Sequence, residues 1–236
     1  MPRGGDSKTV RILEVDPDLG ARLDPSTRER ATAELQAQVS ALEPGEWEPS
    51  RSPSQAADLG LLMLSGLMSR HLDVAEARSV ELLSAGDLLR PWQEDAVSFV
   101  RADWQVLERV EIALLSEDFA LRAGRYPALF EALIDRAMRR SRSLAVHSAI
   151  DNIVGLETSL ELLFWQLAER WGRVEQGGVV IHMRLTHQML ADLVGARRPS
   201  VTSALRELAQ AGTLTSISDG GWRLTGSPPA VSGGEP

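Results

Sequence analysis

The stretch LTHQMLADLVGARRPSVTSALRELAQAGTL, residues 185–214, constrains the fold more than any other part of the chain. Thr186 offers a hydroxyl to the orphan N–H groups of a helix starting at 187, with Leu185 and Leu190 at the two positions of a hydrophobic staple. Leu190, Leu193 and Val194 fall on one helical face, so the first helix is expected to run to about Val194. Gly195 suits the positive φ of a sharp helix exit. Pro199 fits the first turn of a second helix, where its missing N–H is no loss. That helix is expected to reach about Ala211, with Val201, Leu205 and Leu208 inward and Gly212 closing it. Two short helices joined by a glycine-containing turn form a helix-turn-helix. LTSISDGGWRL follows, two short strands around Asp219-Gly220, a favoured hairpin turn, and so a wing.

Arg197 and Arg198 stand at the start of the second helix. In the DNA-binding version of this motif that end enters the major groove, where an arginine can donate two bonds to guanine. Ser200, Thr202 and Ser203 supply hydroxyls for phosphates or bases. The candidate DNA-contacting set is Thr186, His187, Arg197, Arg198, Ser200, Thr202, Ser203 and Arg223. Trp222 and Arg223 suit either backbone contact or packing of the wing. The competing explanation is a helix pair that never meets DNA, its arginines a solvated surface. Charge distribution favours the first reading. The chain carries a net charge of −8, yet residues 173–226 hold six arginines against four acids, leaving 19 of the 25 basic and 29 of the 33 acidic residues for the rest. A slightly basic C-terminal module thus follows an acidic body.

Other chemistries are thinly represented. There is no cysteine, which removes disulfides, thiolate zinc sites and cysteine-held iron–sulfur clusters. The histidines are His71, His147, His182 and His187; none sits in an HExxH arrangement, and His182 and His187, five apart, are a weak metal pair. No metal and no cofactor are expected. A glycine-rich phosphate loop, a GxSxG elbow and a clustered acid–base set are all missing, so the chain does not read as an enzyme; Asp87 and Glu94-Asp95 read as carboxylates of a solvated loop. The longest nearly uninterrupted apolar stretch, GLLMLSGLM at 60–68, is far short of the roughly 20 residues of a spanning helix. MPRGGDSKTV has no apolar core of a signal peptide. A cytoplasmic protein without a membrane partner is expected.

Along the chain, residues 1–9 and 226–236 read as frayed tails. STRERATAELQAQVSAL predicts one helix from about 25 to 43, capped by Ser26 or Thr27 and ended by Pro44-Gly45. A loop is expected over 47–56. DLGLLMLSGLMSRHLDV, with apolar runs on both sides of Ser65-Gly66, reads as a strand pair or one bent strand. SVELLSAGDLLRPW turns at Gly86-Asp87, and VSFVRADWQVLERVEIALL reads as two more strands. Short strands punctuated by Gly, Asp and Pro suggest an antiparallel roll or barrel. From Pro127 to about Arg170 the pattern is helical in two pieces broken at Gly155, with Gly172 as the end of the second. In the first, Phe130, Leu133, Ala137, Leu144 and Ala145 approximate a stripe that could pair with a twin helix or pack on its own domain. Leu156, Leu160, Leu163, Phe164 and Leu167 form the apolar face of the second. VVIHMRL is a short strand. The expected division is 1–24 lead-in, 25–125 roll with its flanking helix, 126–154 long helix and hinge, 155–226 winged helix, and 227–236 disordered tail. The fold class is α+β.

The pattern LTxxxLAxxxGxxRxxVTxxLxxL, filled by Leu185, Thr186, Leu190, Ala191, Gly195, Arg198, Val201, Thr202, Leu205 and Leu208, closely resembles the winged helix of Crp/Fnr-type bacterial transcription regulators. The order of elements over about 25–225 matches as well. The resemblance implies a β-roll like a cyclic-nucleotide-binding domain, a dimerisation helix, and a homodimer that reads a two-fold symmetric site on double-stranded DNA, with RNA polymerase as a further partner. It puts Arg198 at the family's guanine-reading position. Pro199 stands where many members have an acidic base reader, and Ser203 where many have another arginine, so the usual operator does not carry over; Arg197 is a candidate to compensate. SAGDLLRPW occupies the place of the phosphate-binding cassette. Gly86 and Asp87 keep its turn, but Arg90 and Pro91 replace the glycine and the ribose-binding glutamate, and the arginine–serine pair for the cyclic phosphate is missing. Cyclic AMP in the usual mode is not expected. If a small-molecule effector binds, Gly86, Asp87, Arg90 and Arg101 are the candidates. The alternative function is a small-molecule-sensing module whose winged helix contacts protein rather than DNA.

Overall fold

The computed structural model describes residues 8–49, 57–75, 77–92 and 99–229. The expected tails at 1–7 and 230–236, most of the loop at 47–56, and Glu94-Asp95 lie outside them. The chain divides into two compact units, Met1–Ser141 and Arg142–Pro236.

The first unit begins with β1 (Lys8–Arg11), α1 (Ile12–Val15), a 3-10 turn at Pro17–Gly20 and α2 (Pro25–Glu34). Residues 8 and 9, expected in the frayed tail, are therefore strand, paired with β2 (Gln36–Leu42). The helix expected over 25–43 is only half helix. Its cap is Asp24, not Ser26 or Thr27: the Asp24 carboxylate accepts the Thr27 N–H at 3.1 Å and the Ser26 hydroxyl at 2.7 Å. After Leu35 the chain turns into β2, because Ala37, Val39 and Leu42 lie buried while Gln36 and Gln38 are exposed. Alternation with period two, supported by a partner strand, overrides moderate helix propensity here.

The strands β3 (Gly45–Trp47), β4 (Gly60–Val74), β5 (Ala77–Ser84), β6 (Leu88–Leu89) and β7 (Val100–Leu115) complete a sheet ordered β1-β2-β7-β4-β5, with β3 on β7 and β6 on β4. Every pairing among them is antiparallel. The run around Ser65-Gly66 is one bent strand of 15 residues; the bend lies at register shifts between Met63 and Met68. Gly66 sits there at φ +86°, and a Cβ would stand 2.1 Å from the Arg109 carbonyl oxygen, so only glycine fits. The two strands expected over 97–115 are one strand of 16 residues from Val100, since β4 is long enough to pair with all of it.

The sheet is apolar on both faces. Leu62, Ala113 and Leu115 point to a cluster with Ile12, Leu35, Phe119 and Leu129. Their neighbours Leu61, Met63 and Ile112 point the other way, to Met68, Leu83, Trp104 and Val106. A strand alternates faces, so one sequence lines two cores. α3 (Glu117–Ala123), capped by Ser116, was not foreseen and supplies Phe119 and Ala123 to the first cluster.

α4 (Pro127–Ile150) contains the division between the units. Of the stripe that could pair with a twin helix or pack on its own domain, Phe130 and Leu133 pack into the first unit's own cluster, while Ala137, Leu144 and Ala145 are exposed. The exposed apolar side chains on this helix are Ile134, Met138, Leu144 and Val146. Gly155, at φ +114°, opens α5 (Leu156–Trp171), which ends at Gly172 as expected and buries Leu160, Leu163, Phe164 and Leu167. A hairpin of β8 (Gly172–Glu175) and β9 (Gly178–Ile181) precedes α6 (His187–Leu193), α7 (Arg198–Ala211), β10 (Leu214–Ser216) and β11 (Trp222–Leu224). β8 was not foreseen; it forms because the turn at Gln176-Gly177, with Gly177 at φ +94°, folds β9 back along it. These four strands form a sheet ordered β10-β11-β9-β8.

Candidate nucleic-acid interface

α6 starts where the Thr186 hydroxyl accepts the Met189 N–H at 3.2 Å. It buries Leu190, Ala191 and Leu193. Gly195 then takes φ +61°, and the Ala196 N–H returns to the Ala191 carbonyl at 2.9 Å. α7 enters from Arg197, with Pro199 in its first turn, and holds Val201, Ala204, Leu205 and Leu208 inside. It closes on Gly212 at φ +75°. Leu214, Trp222 and Leu224 are buried with them. Trp222 lies against Phe164 with ring centroids 4.9 Å apart, so of its two expected roles it takes packing.

Arg197, Arg198, Pro199, Ser200, Ser203 and Arg206 are exposed. No side chain caps α7 at its start, so its first N–H groups and the positive end of its dipole face outward together with two guanidinium groups. This surface favours an anion, and its arginines can also discriminate the hydrogen-bonding edges of bases. Thr202 is different. Its hydroxyl donates to the Arg198 carbonyl at 3.0 Å and stands 2.9 Å from Nδ1 of His187. With the hydroxyl proton committed to Arg198, the ring contact requires Nδ1–H as donor. Thr202 thus ties the start of α7 to the start of α6. Arg223 lies within β11, half-buried, opposite Thr215 and Val180.

A cluster beside the wing was not foreseen. His182, just past β9, has Nδ1 at 2.8 Å from Asp219 and Nε2 at 3.0 Å from Glu175. The bonds to Glu175 and then Asp219 raise the ring's pKa above its ordinary value. Asp219 also accepts the Gly221 N–H at 3.0 Å, and Arg184 donates to the Asp219 carbonyl at 3.3 Å. The weak metal pair His182 and His187 is thereby separated into two networks, and among the described residues no group of three His, Cys, Asp or Glu is arranged to hold a metal ion.

The candidate effector residues do not converge. Asp87 is buried and accepts the Ser84 N–H at 2.8 Å, and Arg90 donates to the Asp58 carbonyl at 2.6 Å. Arg101 is exposed, pairs with Asp103, and lies opposite Asp73 on β4, whereas Gly86 bonds to Met63 on the same strand. Ten residues of the bent strand β4 separate those two points. Helix α4 reaches the cassette instead. Arg140 grips Glu81 through both oxygens at 2.6 and 2.8 Å and donates to the Leu88 carbonyl at 3.1 Å. Arg70 meets Glu81 at 2.8 Å from the other side. Burial works to raise the Glu81 pKa, but the Arg140 and Arg70 guanidinium groups outweigh it and hold the carboxyl below its ordinary value. Arg136, whose guanidinium is what a Cβ at Gly86 would meet, binds both oxygens of Asp16 at 2.5 and 2.7 Å.

Residues 160–225 match the Crp-like helix-turn-helix domain family. Among curated proteins none matches the chain in sequence. Solved structures share its fold. A CooA mutant from Carboxydothermus hydrogenoformans aligns with a TM-score of 0.65 and 17% identity over 92% of each chain. A cyclic nucleotide-binding domain containing protein from Listeria monocytogenes gives 0.66 and 14%, over 89% of this chain and 97% of its own. A CRP-family transcriptional regulator from Thermus thermophilus gives 0.56 and 17%, over 79% and 92%.

Proposed function

Because residues 160–225 are a Crp-like helix-turn-helix domain and the chain has the fold of the Crp/Fnr regulators, we propose that it acts as a homodimer on a two-fold symmetric DNA site, with α7 in the major groove. The observation that carries this reading is the uncapped, exposed start of α7 bearing Arg197 and Arg198. Phosphate contacts from the helix N-terminus and Ser200 set the register, and Arg198 reads a guanine edge, with Arg197 beside it. Thr186 and Ser203 lie exposed on the same two helices, while His187 and Thr202 hold them together. Arg223 strengthens the positive field from the wing.

The exposed α4 side chains Ile134, Met138 and Leu144 supply the dimer face, which sets two recognition helices about one DNA turn apart, roughly 34 Å. An RNA polymerase contact accords with a regulator that acts while bound upstream of a promoter. Effector control of the usual cyclic-AMP kind is not proposed, because Asp87, Arg90 and Arg140 are engaged with the protein itself. Among the described residues no helix is long and apolar enough to cross a membrane, which accords with a cytoplasmic regulator.

Selection of duplexes from a random pool by the full chain, followed by footprinting, tests the proposal. A palindromic consensus is the expected outcome. Arg198→Ala should weaken binding by about 1–3 kcal/mol and relax preference at one symmetric pair of positions. No enrichment of any duplex over the starting pool would overturn it.

A further inference from the structure

His182 stands between two acids that belong to different parts of the winged helix. Glu175 ends β8, and Asp219 sits in the turn of the wing. Each ring nitrogen faces one carboxylate at hydrogen-bonding distance. A carboxylate only accepts, so both contacts need N–H on the ring. The imidazolium has two; the neutral ring has one and must turn a lone pair toward the other carboxylate. We propose that His182 is a proton-operated clamp that positions the wing: charged, it ties the wing turn to the end of β8, and neutral, it releases one of the two.

The surroundings single out this histidine. The charged residues at the ends of the adjoining elements are Glu175 and Arg173 on β8, Glu169 and Arg170 at the end of α5, Arg184 on its own segment, and Asp219 and Arg223 on the wing. Of these the ring touches only the two acids. Arg170 is stacked on Trp171, and Arg184 is directed to the Asp219 carbonyl. Within itself the wing turn is closed by backbone bonds, the Gly220 N–H to the Ile217 carbonyl at 3.0 Å and the Ile217 N–H to the Gly221 carbonyl at 2.9 Å, while its side-chain ties run through Asp219 and Arg184. Asp219 holds Gly221 through one oxygen and His182 through the other, and the Arg184 stem lies against Gly220. The ring is partly exposed, 44% for its side chain, so it exchanges protons with solvent without unfolding.

The direction of the effect follows from the raised pKa of the ring. A histidine that binds its proton more tightly when folded contributes fully below its ordinary value of 6.5, and loses that contribution as pH rises through the folded value. The clamp therefore closes on the acidic side and opens on the alkaline side. Combined with the DNA-binding reading, on which this consequence rests, it makes DNA affinity fall as His182 deprotonates.

The test uses the full chain, with His182→Gln and Glu175→Gln; Asp219 is spared because it also shapes the turn. NMR across about pH 6 to about pH 9 follows the His182 ring carbon and the ¹⁵N order parameters of Gly220 and Gly221. In the parent protein the order parameters should drop as the ring titrates. In His182→Gln they should be low and flat with pH, and in Glu175→Gln the ring should titrate at lower pH. Order parameters that ignore the titration, or match between the parent and His182→Gln at every pH, would overturn the clamp. Fluorescence anisotropy on a duplex selected by the parent at acidic pH reads the consequence. The parent should lose affinity several-fold on deprotonation while His182→Gln stays weak and flat. Matching profiles for both proteins would remove the clamp from DNA binding. A wing that orders and loosens with pH in a protein that binds no duplex would leave the clamp standing and defeat the DNA reading.

Discussion

Thr202 shows at the scale of a residue how a motif position and a role can part. By sequence it is one of several hydroxyls near a phosphate; in the fold its proton goes to the Arg198 carbonyl and its oxygen faces His187. Thr202→Val keeps the shape and leaves the Arg198 carbonyl its helical N–H, but takes away the partner of the His187 ring, so it should destabilise the second unit by about 1 kcal/mol, the net size of one such bond. Thermal unfolding measures this, and the loss of DNA affinity should be smaller than for Arg198→Ala. Thr186 has the role its position announced, because an N-cap needs only the N–H three residues on. Thr186→Ala should cost about 1 kcal/mol in a denaturant titration, with binding impaired as α6 frays.

Among the elements, α4 combines two attachments. Its middle turns carry part-buried ion pairs, Arg140 to Glu81 on β5 and Arg136 to Asp16 after α1, while Ile134, Met138, Leu144 and Val146 are exposed. Met138→Glu places a charge there without touching the Phe130 and Leu133 contacts, and should convert a dimer to a monomer in sedimentation while leaving the monomer folded. Arg140→Ala removes one of the two guanidinium groups holding Glu81. The loss should be on the order of 1–3 kcal/mol, less than the roughly 3–5 of a fully orphaned buried charge because Arg70 remains. The depressed Glu81 pKa also fixes the sign of acid sensitivity. A carboxyl that binds its proton more weakly when folded stabilises the fold above its ordinary value of 4.5, and that contribution disappears as pH falls below it. The first unit should therefore lose stability on acidification, and Arg140→Ala should flatten that dependence.

For the whole molecule the uneven charge matters more than its total. A net charge of −8 repels a polyanion at long range, while the winged helix meets it at close range. Affinity should fall steeply as salt rises, with a slope set by the phosphates contacted and a smaller slope after loss of one contacting arginine. The helix-turn-helix was legible residue by residue because its signals are local. A cap acts over three residues, Gly195 and Gly212 exit helices by their own φ, and Pro199 fits a first turn whatever lies beyond. The roll was legible only in kind. QVSAL has adequate helix propensity and became strand because Gln38 and Leu42 found Leu114 and Val110, some seventy residues away. Likewise one long β7 replaced two strands because β4 could pair along all of it. The same division separates the chemistry. Local backbone rules, acting within four residues, already determined that a helix would present Arg197 and Arg198 at its start. Tertiary structure alone decided that His182 would stand between Glu175 and Asp219, and Glu81 between Arg70 and Arg140, because hydrogen bonds and charge pairs depend on distance in space, and sequence spacing carries no such distance once the chain has folded back on itself.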